Sequence, residues 1–231
     1  MNILDYKITN YSNGEIISKF INDFVNTYNC ENILFVRTST TGEWLENLLV
    51  DKKNVDRLLY YTNNTMKKNV KNIKCNKFTK KINLLELENF LHKLNKKFDL
   101  ICIDPCHEYN ISKMNFDLLY SFLSDVGTLI SHDCFPSTEK LANPNFQIGN
   151  WCGETYVAFV EFANNNPMLY YSILNIDTGI GIISKLNINY LKNCLDLHKQ
   201  EIFLSMYKNK NKDYYKYFCD NSKDLTNEIN L

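Results

Sequence analysis

Apolar positions follow two patterns along this chain, a helical period and short continuous runs. The helical period covers residues 15–28, 41–50, 84–94, 111–123, 154–163 and 189–207. Short apolar runs predict strands at residues 32–37, 57–61, 73–78, 100–104, 128–132, 169–176 and 181–184. Strands and helices therefore alternate, and the last two strands are joined by a turn so short that they must be antiparallel. The pattern predicts an α/β protein with a mostly parallel sheet and helices on both faces.

The length of 231 residues suits one large domain with a smaller addition. We expect an α/β domain over residues 1–186, which includes the helix at 15–28. Residues 187–231 are expected to form a helical extension with a polar tail. The helix at 189–207 would pack on its own domain or on a second copy of the chain in a homo-oligomer. In the helix at 111–123, Met114, Leu118 and Phe122 are expected to form the apolar side.

Charge and hydropathy narrow the classes of partner. The 26 basic and 26 acidic residues balance, so nothing favours nucleic acid. No signal peptide and no membrane-spanning run are present, so we expect no membrane partner, a cytoplasmic location and reduced thiols on the eight cysteines. A structural zinc site is an alternative use of five residues, although Cys102 should point into a buried strand. These residues are Cys102, Cys106, His107, His132 and Cys134.

Two of the strongest apolar runs end in a carboxylate with a histidine nearby. Asp104 ends one run and His107 follows it, and the next strand ends in His132 and Asp133. Ligands of parallel sheets bind beyond the carboxyl ends of the strands, so Asp104 and Asp133 could hold a divalent ion such as Mg²⁺ beside a histidine general base. If the strand continues through both, only one of His132 and Asp133 faces this crevice. Each residue also has a structural alternative: Asp104 could cap a turn, His107 could be a hydrogen-bonded core residue, and Asp133 could bond nearby backbone.

These motifs resemble a known superfamily. The segment Phe98-Asp-Leu-Ile-Cys-Ile-Asp104-x-x-His107-x-Tyr109, followed by Ser131-His132-Asp133 and Trp151-Cys-Gly153-Glu-Thr, is similar to class I S-adenosylmethionine-dependent methyltransferases. Within them it is most similar to O-methyltransferases of small molecules and sugars. The resemblance implies a Rossmann-like, doubly wound, seven-stranded sheet with a C-terminal antiparallel hairpin. It also implies Asp104 and Asp133 as metal ligands, and Asp104, His107 and His132 as catalytic residues.

The cofactor-binding motif departs from the family pattern, which is Glu-x-Gly-x-x-x-Gly. We align its acidic position with Ile33 and its glycines with Phe35 and Ser39. The acid expected after the second strand is also missing, and Asn63 stands there instead. The remaining candidates for S-adenosylmethionine contacts are Arg37, Thr38, Ser39, Thr40, Asn63 and Asp104.

Two functions stay open at this point. The first is S-adenosylmethionine-dependent O-methylation of a hydroxyl on a sugar or another small metabolite, with assistance from a divalent metal ion. The second is a binding or scaffold module with a methyltransferase fold that has lost the cofactor. A different ligand in the same crevice, such as a nucleotide sugar, is a weaker third alternative.

Overall fold

One eight-stranded sheet organises the protein in a computed structural model, which describes residues 13–38, 54–61, 80–147 and 151–230. The strands are β1 (Asn32–Thr38), β2 (Asn54–Tyr61), β3 (Lys80–Asn83), β4 (Phe98–Asp104), β5 (Leu123–Ser131), β6 (Tyr170–Asn175), β7 (Ile180–Ser184) and β8 (Glu228–Asn230). The described helices are α1 (Asn13–Thr27), α2 (Leu84–Leu94), α3 (Tyr109–Ser121), α4 (Thr155–Asn165), α5 (Leu197–Lys208) and α6 (Tyr214–Thr226).

The strand order is β3-β2-β1-β4-β5-β7-β6-β8. All neighbouring pairs are parallel except those that involve β7, which runs antiparallel to both β5 and β6. This confirms the mostly parallel sheet with a C-terminal antiparallel hairpin, and the short strand β8 is an addition that the sequence did not suggest. The chain order reverses between β1 and β4, which places a ligand crevice beyond the carboxyl ends of these strands.

Alternation along the central strands builds a hydrophobic core on each face of the sheet. Ile33 and Phe35 of β1 pack with α1 on one face, while Leu34 and Val36 pack on the other face with α2, α3 and α4. The apolar residues of α1 recur at helical spacing, and all of them are buried: Ile16, Ile17, Phe20, Ile21, Phe24 and Val25. Helices therefore cover both faces, so the doubly wound α/β class is confirmed.

Residues after 186 fold differently from the sequence expectation in two places. The helix expected over 189–207 begins only at Leu197, where the Asp196 side chain accepts a hydrogen bond from the Lys199 backbone at 3.0 Å. Residues 214–226, expected within the polar tail, form α6 and pack through Phe218 and Leu225 on α4 and α5. The apolar residues at 191 and 195 lie before α5, in a segment of turns that contacts β6 through one bridge between Lys192 and Tyr171, so they do not share a helix with Ile202.

The apolar side predicted for the helix after β4 is right at Phe122, which is buried, and at Leu118, which packs against the core, but wrong at Met114. Met114 is 40% exposed, and the buried positions of α3 are Ser112, Asn115, Phe116 and Leu119. The polar Ser112 can face inward because its hydroxyl donates to the Cys106 carbonyl at 2.9 Å. Apolar spacing alone therefore missed that the polar residues Ser112 and Asn115 also belong to the buried side of α3.

Several expectations lie outside the described residues or stay untested. The helix at 41–50 and the strand at 73–78 fall outside them, while the third strand of the sheet is found at residues 80–83. The division after residue 186 stays a prediction. None of the described helices is long and apolar enough to cross a membrane.

Candidate active site

Four charged side chains meet at the carboxyl edge of the sheet. Asp104 is the last residue of β4, and His107 lies in the turn before α3. His132 and Asp133 directly follow β5, the parallel neighbour of β4. All four are buried, with 2% to 8% of each residue exposed. We call these four residues the histidine–aspartate cluster.

Each histidine of the cluster lies between two carboxylates. The Nε2 atom of His107 is 2.9 Å from Oδ2 of Asp133 and 3.4 Å from Oδ1 of Asp104. The Nδ1 atom of His132 is 3.1 Å from Oδ2 of Asp133 and 3.4 Å from Oδ2 of Asp104. The carboxylates on two strands are thus connected through both imidazoles, as the sequence prediction of a shared crevice requires.

Both His132 and Asp133 point into the cluster, against the alternation expected if the strand continued. The strand ends at Ser131, and Asp133 adopts the left-handed backbone conformation with φ of +58°. This turn breaks the two-residue period of a strand, so two consecutive side chains reach the same place. Aspartate and asparagine tolerate this conformation better than most residues, which fits Asp133 at this position.

The turn between β6 and β7 completes the surroundings of His132. Its Nε2 atom is 3.2 Å from Oδ2 of Asp177 and 3.3 Å from the Thr178 hydroxyl. The backbone NH groups of Cys134 and Phe135 donate to the carbonyls of Gly179 and Thr178 and hold this turn against the loop after β5. A Cβ atom on Gly179, whose φ is +89°, would lie 2.3 Å from Phe135, so glycine is required for this approach. Sequence reasoning missed Asp177 as a neighbour of the cluster.

The loop that precedes α4 supports His107 from the other side. The Glu154 backbone NH donates to the His107 carbonyl at 2.8 Å, and the Trp151 ring lies 5.2 Å from the imidazole. A Cβ atom on Gly153, whose φ is +54°, would lie 2.2 Å from the His107 carbonyl oxygen. The Nδ1 atom of His107 is buried and has no hydrogen-bond partner among the described residues. A donor or acceptor on a bound molecule would satisfy it.

The electrostatics of the cluster favour two imidazolium and two carboxylate groups. Burial by itself would lower the pKa of His107, but the charge of Asp133 and the contacts with both carboxylates raise it to about 10. The same opposition leaves the pKa of His132 well above its ordinary value. Burial would raise the pKa of Asp104 and Asp133, yet the neighbouring histidines hold both pKa values below the ordinary one. The cluster neutralises its own charge, which a buried site requires.

Three members of the cluster fit a divalent metal ion. One ligand atom from each of Asp104, His107 and Asp133 lies within 4.8 Å of the other two. Among the described residues, this is the group of His, Cys, Asp and Glu side chains close enough to share an ion, and it contains no cysteine of the zinc alternative. Two carboxylate oxygens with one imidazole nitrogen suit Mn²⁺, Fe²⁺ or Zn²⁺ better than Mg²⁺, which takes oxygen ligands.

The first strand places one candidate cofactor residue beside the cluster. Arg37 is 1% exposed and pairs in register with Asp104 of β4. Thr38 ends β1, whereas Ser39, Thr40 and Asn63 lie outside the described residues. The structure brings Arg37 to the crevice edge, and its role in cofactor binding stays a prediction.

The alignment of Phe35 with a turn glycine is wrong. Phe35 lies in the middle of β1, opposite Cys102 of β4, and its side chain is buried in the core with α1. The end of the strand falls four residues later than that alignment assumed. Phe35 therefore lies within the strand and not in the turn that follows it.

The sheet order defines a Rossmann-like α/β fold with a candidate site at its carboxyl edge. Neither the models of known protein families nor the curated proteins give a match to the sequence. Solved structures do match in fold. A Staphylococcus aureus protein assigned as a caffeoyl-CoA O-methyltransferase has 19% sequence identity and a TM-score of 0.52, over 79% of this chain and 87% of that one. Cofactor-bound Rv0187 from MTB has 10% identity and a TM-score of 0.51, over 79% and 86% of the two chains. The chain therefore has the fold of the class I S-adenosylmethionine-dependent O-methyltransferases.

Proposed function

We propose that the protein transfers the methyl group of S-adenosylmethionine to a hydroxyl oxygen of a sugar or another small metabolite, with help from a divalent ion. The observation on which this rests is the position of the histidine–aspartate cluster. It lies buried at the carboxyl edge of β4 and β5, next to the reversal of strand order where this fold binds its ligands. A position at this edge favours a role in ligand binding.

The ion would be held by Asp104, His107 and Asp133, and it would lower the pKa of a bound hydroxyl. In this arrangement His132 would orient the two carboxylate ligands, because its imidazole connects Asp104 and Asp133 to Asp177. Replacement of a residue that orients metal ligands in this way commonly lowers the affinity for the metal. Of the two candidates for the general base, His132 stays available when His107 holds the ion, and His107 could act as the base only without the ion.

A base role requires a neutral histidine, and the two carboxylates oppose this by favouring the imidazolium form. A cation between Asp104 and Asp133 would offset that charge and favour the neutral imidazole. The Nε2 atom of His107 faces the carboxylates, so a polar group of the substrate would contact this ring at the buried Nδ1 atom. A donor or acceptor of the substrate at this atom would orient the hydroxyl for attack.

The cofactor would bind along the end of β1, with Arg37, Thr38, Ser39 and Thr40 near its methionine carboxylate and Asn63 near the ribose. Asp104 lies beside Arg37 in register and would face the same crevice. A guanidinium group matches a carboxylate in charge and geometry. The acceptor would enter from the side of Trp151 and the loop after β5.

A catalytically inactive scaffold is the second candidate, and one observation favours it. Both histidines are already paired with carboxylates, so the cluster is electrically complete without any ion. A protein that had lost catalysis could keep such a network as a structural element. Homo-oligomer formation through the helices after residue 186 would suit this role.

Calorimetric titration with S-adenosylmethionine, in the presence and absence of Mn²⁺, separates the two candidates. The enzyme should bind the cofactor, and Asp104→Asn and Asp133→Asn should each weaken Mn²⁺ binding by about tenfold or more. Asparagine is chosen because it tolerates the left-handed backbone of Asp133. Asp125→Asn is the matched control, since Asp125 is exposed at the opposite end of β5. Absence of heat under both conditions would contradict the enzyme and leave the scaffold.

A further inference from the structure

A cavity lies beside the loop after β5, near the candidate active site. Its volume is about 740 Å³, within the range of pockets that hold small organic molecules. Three segments enclose it: the loop after β5, the start of α4, and the turn between α5 and α6. Its lining consists of Glu139, Ala142, Asn143, Pro144, Asn145, Glu154, Tyr207, Lys208, Lys210, Asn211, Lys212 and Tyr214. We call it the lysine–tyrosine pocket.

The pocket shares its walls with the support of His107. The Trp151 indole NH donates to the carbonyl of Asn143, a lining residue, while the Trp151 ring contacts the His107 ring. Glu154 lines the pocket, and its backbone NH donates to the His107 carbonyl. A molecule in this pocket is therefore separated from the histidine–aspartate cluster by about one layer of side chains.

The walls combine flat aromatic surfaces with hydrogen-bond donors. The rings of Tyr207 and Tyr214 have centroids 5.6 Å apart and form one wall. The Oδ1 atoms of Asn143 and Asn211 accept backbone NH groups of their own loops at 2.8 and 2.9 Å. This fixes both amides so that their Nδ2 groups remain as donors. Aromatic faces with amide donors are suited to stacking on and hydrogen bonding with a polar ring such as a sugar.

Three lysines supply positive charge to the pocket, and two of them form no ion pair with a described residue. Lys208 pairs with Glu161 at 3.1 Å, but no ion pair joins Lys210 or Lys212 to another described residue. Of the two acids in the lining, Glu154 already accepts the Tyr207 hydroxyl at 2.8 Å. Two unpaired ammonium groups beside amide donors form a site for an anion.

We infer that the lysine–tyrosine pocket binds a sugar that carries a phosphate group, with the sugar against the tyrosines and the phosphate at Lys210 and Lys212. The inference goes beyond the proposed function, because it gives the protein a second ligand site, separated from the cluster by the Trp151 side chain. It assigns a binding role to the α5–α6 turn, which lies outside the sheet that the fold shares with methyltransferases.

The test compares glucose 1-phosphate, glucose and inorganic phosphate by calorimetry and ligand-observed NMR on the whole protein. We expect glucose 1-phosphate to bind at least about tenfold more tightly than either of the other two. Lys210→Asn combined with Lys212→Gln should remove about tenfold of this affinity, and asparagine suits the positive φ of Lys210. The matched control is Lys216→Gln with Lys223→Gln, which removes two charges of α6 outside the pocket and should change affinity less than about twofold.

Equal affinity for glucose and its phosphate, or an unchanged affinity in the Lys210/Lys212 variant, would overturn the inference. Equal affinity for inorganic phosphate would overturn the part that concerns the sugar. Titration of the same protein with S-adenosylmethionine keeps the two proposals apart. Cofactor binding without sugar phosphate binding contradicts the pocket alone, whereas sugar phosphate binding without cofactor binding supports the pocket and contradicts methyl transfer.

Discussion

Two charge networks of this protein contain buried carboxylates, but their cations differ. In the histidine–aspartate cluster the cations are imidazoles with side chains 5% and 10% exposed. The second network surrounds Glu161 of α4, whose side chain is 10% exposed. It joins Tyr109, Lys113, Glu161 and Lys208, with lysine side chains 34% and 59% exposed.

The difference shows what burial of the cation changes. A lysine at Glu161 can exchange its partner for water, so each ion pair there contributes little net stability. The imidazoles cannot exchange their carboxylate partners for water in this way, because both rings are buried in the protein. Loss of one carboxylate from the cluster therefore leaves buried positive charge uncompensated. The following predictions test this contrast from the largest expected effect to the smallest.

Replacement of Asp133 should have the largest effect on stability. Asp133→Asn removes the carboxylate that lies nearer to both histidines, and we expect the free energy of unfolding to fall by about 3 kcal/mol. Urea unfolding of metal-free protein at neutral pH measures this. Asp125→Asn is the control and should change it by less than about 0.5 kcal/mol. A loss equal to that of the control would remove the contrast between the two networks.

Gly153→Ala should disturb the cluster without changing its charge. The added methyl group would meet the His107 carbonyl at 2.2 Å on a backbone with positive φ, so we expect a loss of about 2 kcal/mol. Thermal unfolding of this variant is compared with Ser137→Ala, an exposed position in the preceding loop. Unchanged stability would show that the loop before α4 does not hold His107 in place.

Asp177→Asn should weaken metal binding more than it weakens the fold. The aspartate contacts the His132 ring from the side opposite to the proposed ligands, and such contacts commonly contribute about tenfold to metal affinity. Mn²⁺ binding followed by electron paramagnetic resonance measures this affinity. Asp213→Asn, at an exposed position before α6, is expected to bind Mn²⁺ as the unaltered protein does. Equal affinities of the two variants would contradict the positioning role of Asp177.

Glu161→Gln should have the smallest effect, about 1 kcal/mol at neutral pH. Burial would raise the pKa of Glu161, but bonds from Tyr109, Lys208 and Lys113 hold it below the ordinary value of 4.5. A carboxyl group with a lowered folded pKa stabilises the protein above its unfolded pKa and loses this contribution as pH falls through the folded pKa. The difference between the two proteins in urea unfolding should therefore shrink below pH 4.5, and a difference that grows in acid would contradict this assignment.

The sequence was sufficient for the central strands of the sheet and for the meeting of the four residues of the cluster, because these depend on local signals. The apolar run of β4 ends in Asp104, and neighbouring parallel strands must bring their carboxyl ends together. Asp177 was missed because its contact with His132 joins positions 45 residues apart and depends on how the β6–β7 turn packs. Nothing local indicates that Asp133 takes a left-handed conformation.

The helix α6 and the strand β8 were missed for other physical reasons. The apolar residues of α6 are mostly tyrosines set among lysine, aspartate and asparagine, and their burial depends on packing against α4 and α5. The three residues of β8 contain one apolar side chain and become a strand only through their pairing with β6. The position of Arg37 opposite Asp104 depends on the register between β1 and β4. Register cannot be read from one segment of sequence alone.

The small strand β8 has a consequence for the assembly of the protein. Without it, β6 would present an open row of backbone donors and acceptors, the kind of edge that recruits strands from other molecules. Asn227 holds β8 in place beside β6. Its side chain donates to the carbonyls of Tyr171 and Tyr190, and its own carbonyl accepts the Ser172 hydroxyl. Because these contacts join positions up to 56 residues apart, the part of β6 from Ile173 to Asn175 stays uncovered during synthesis until residues 227–230 have been made. The edge of the sheet is therefore closed only after α5 and α6 have been synthesised.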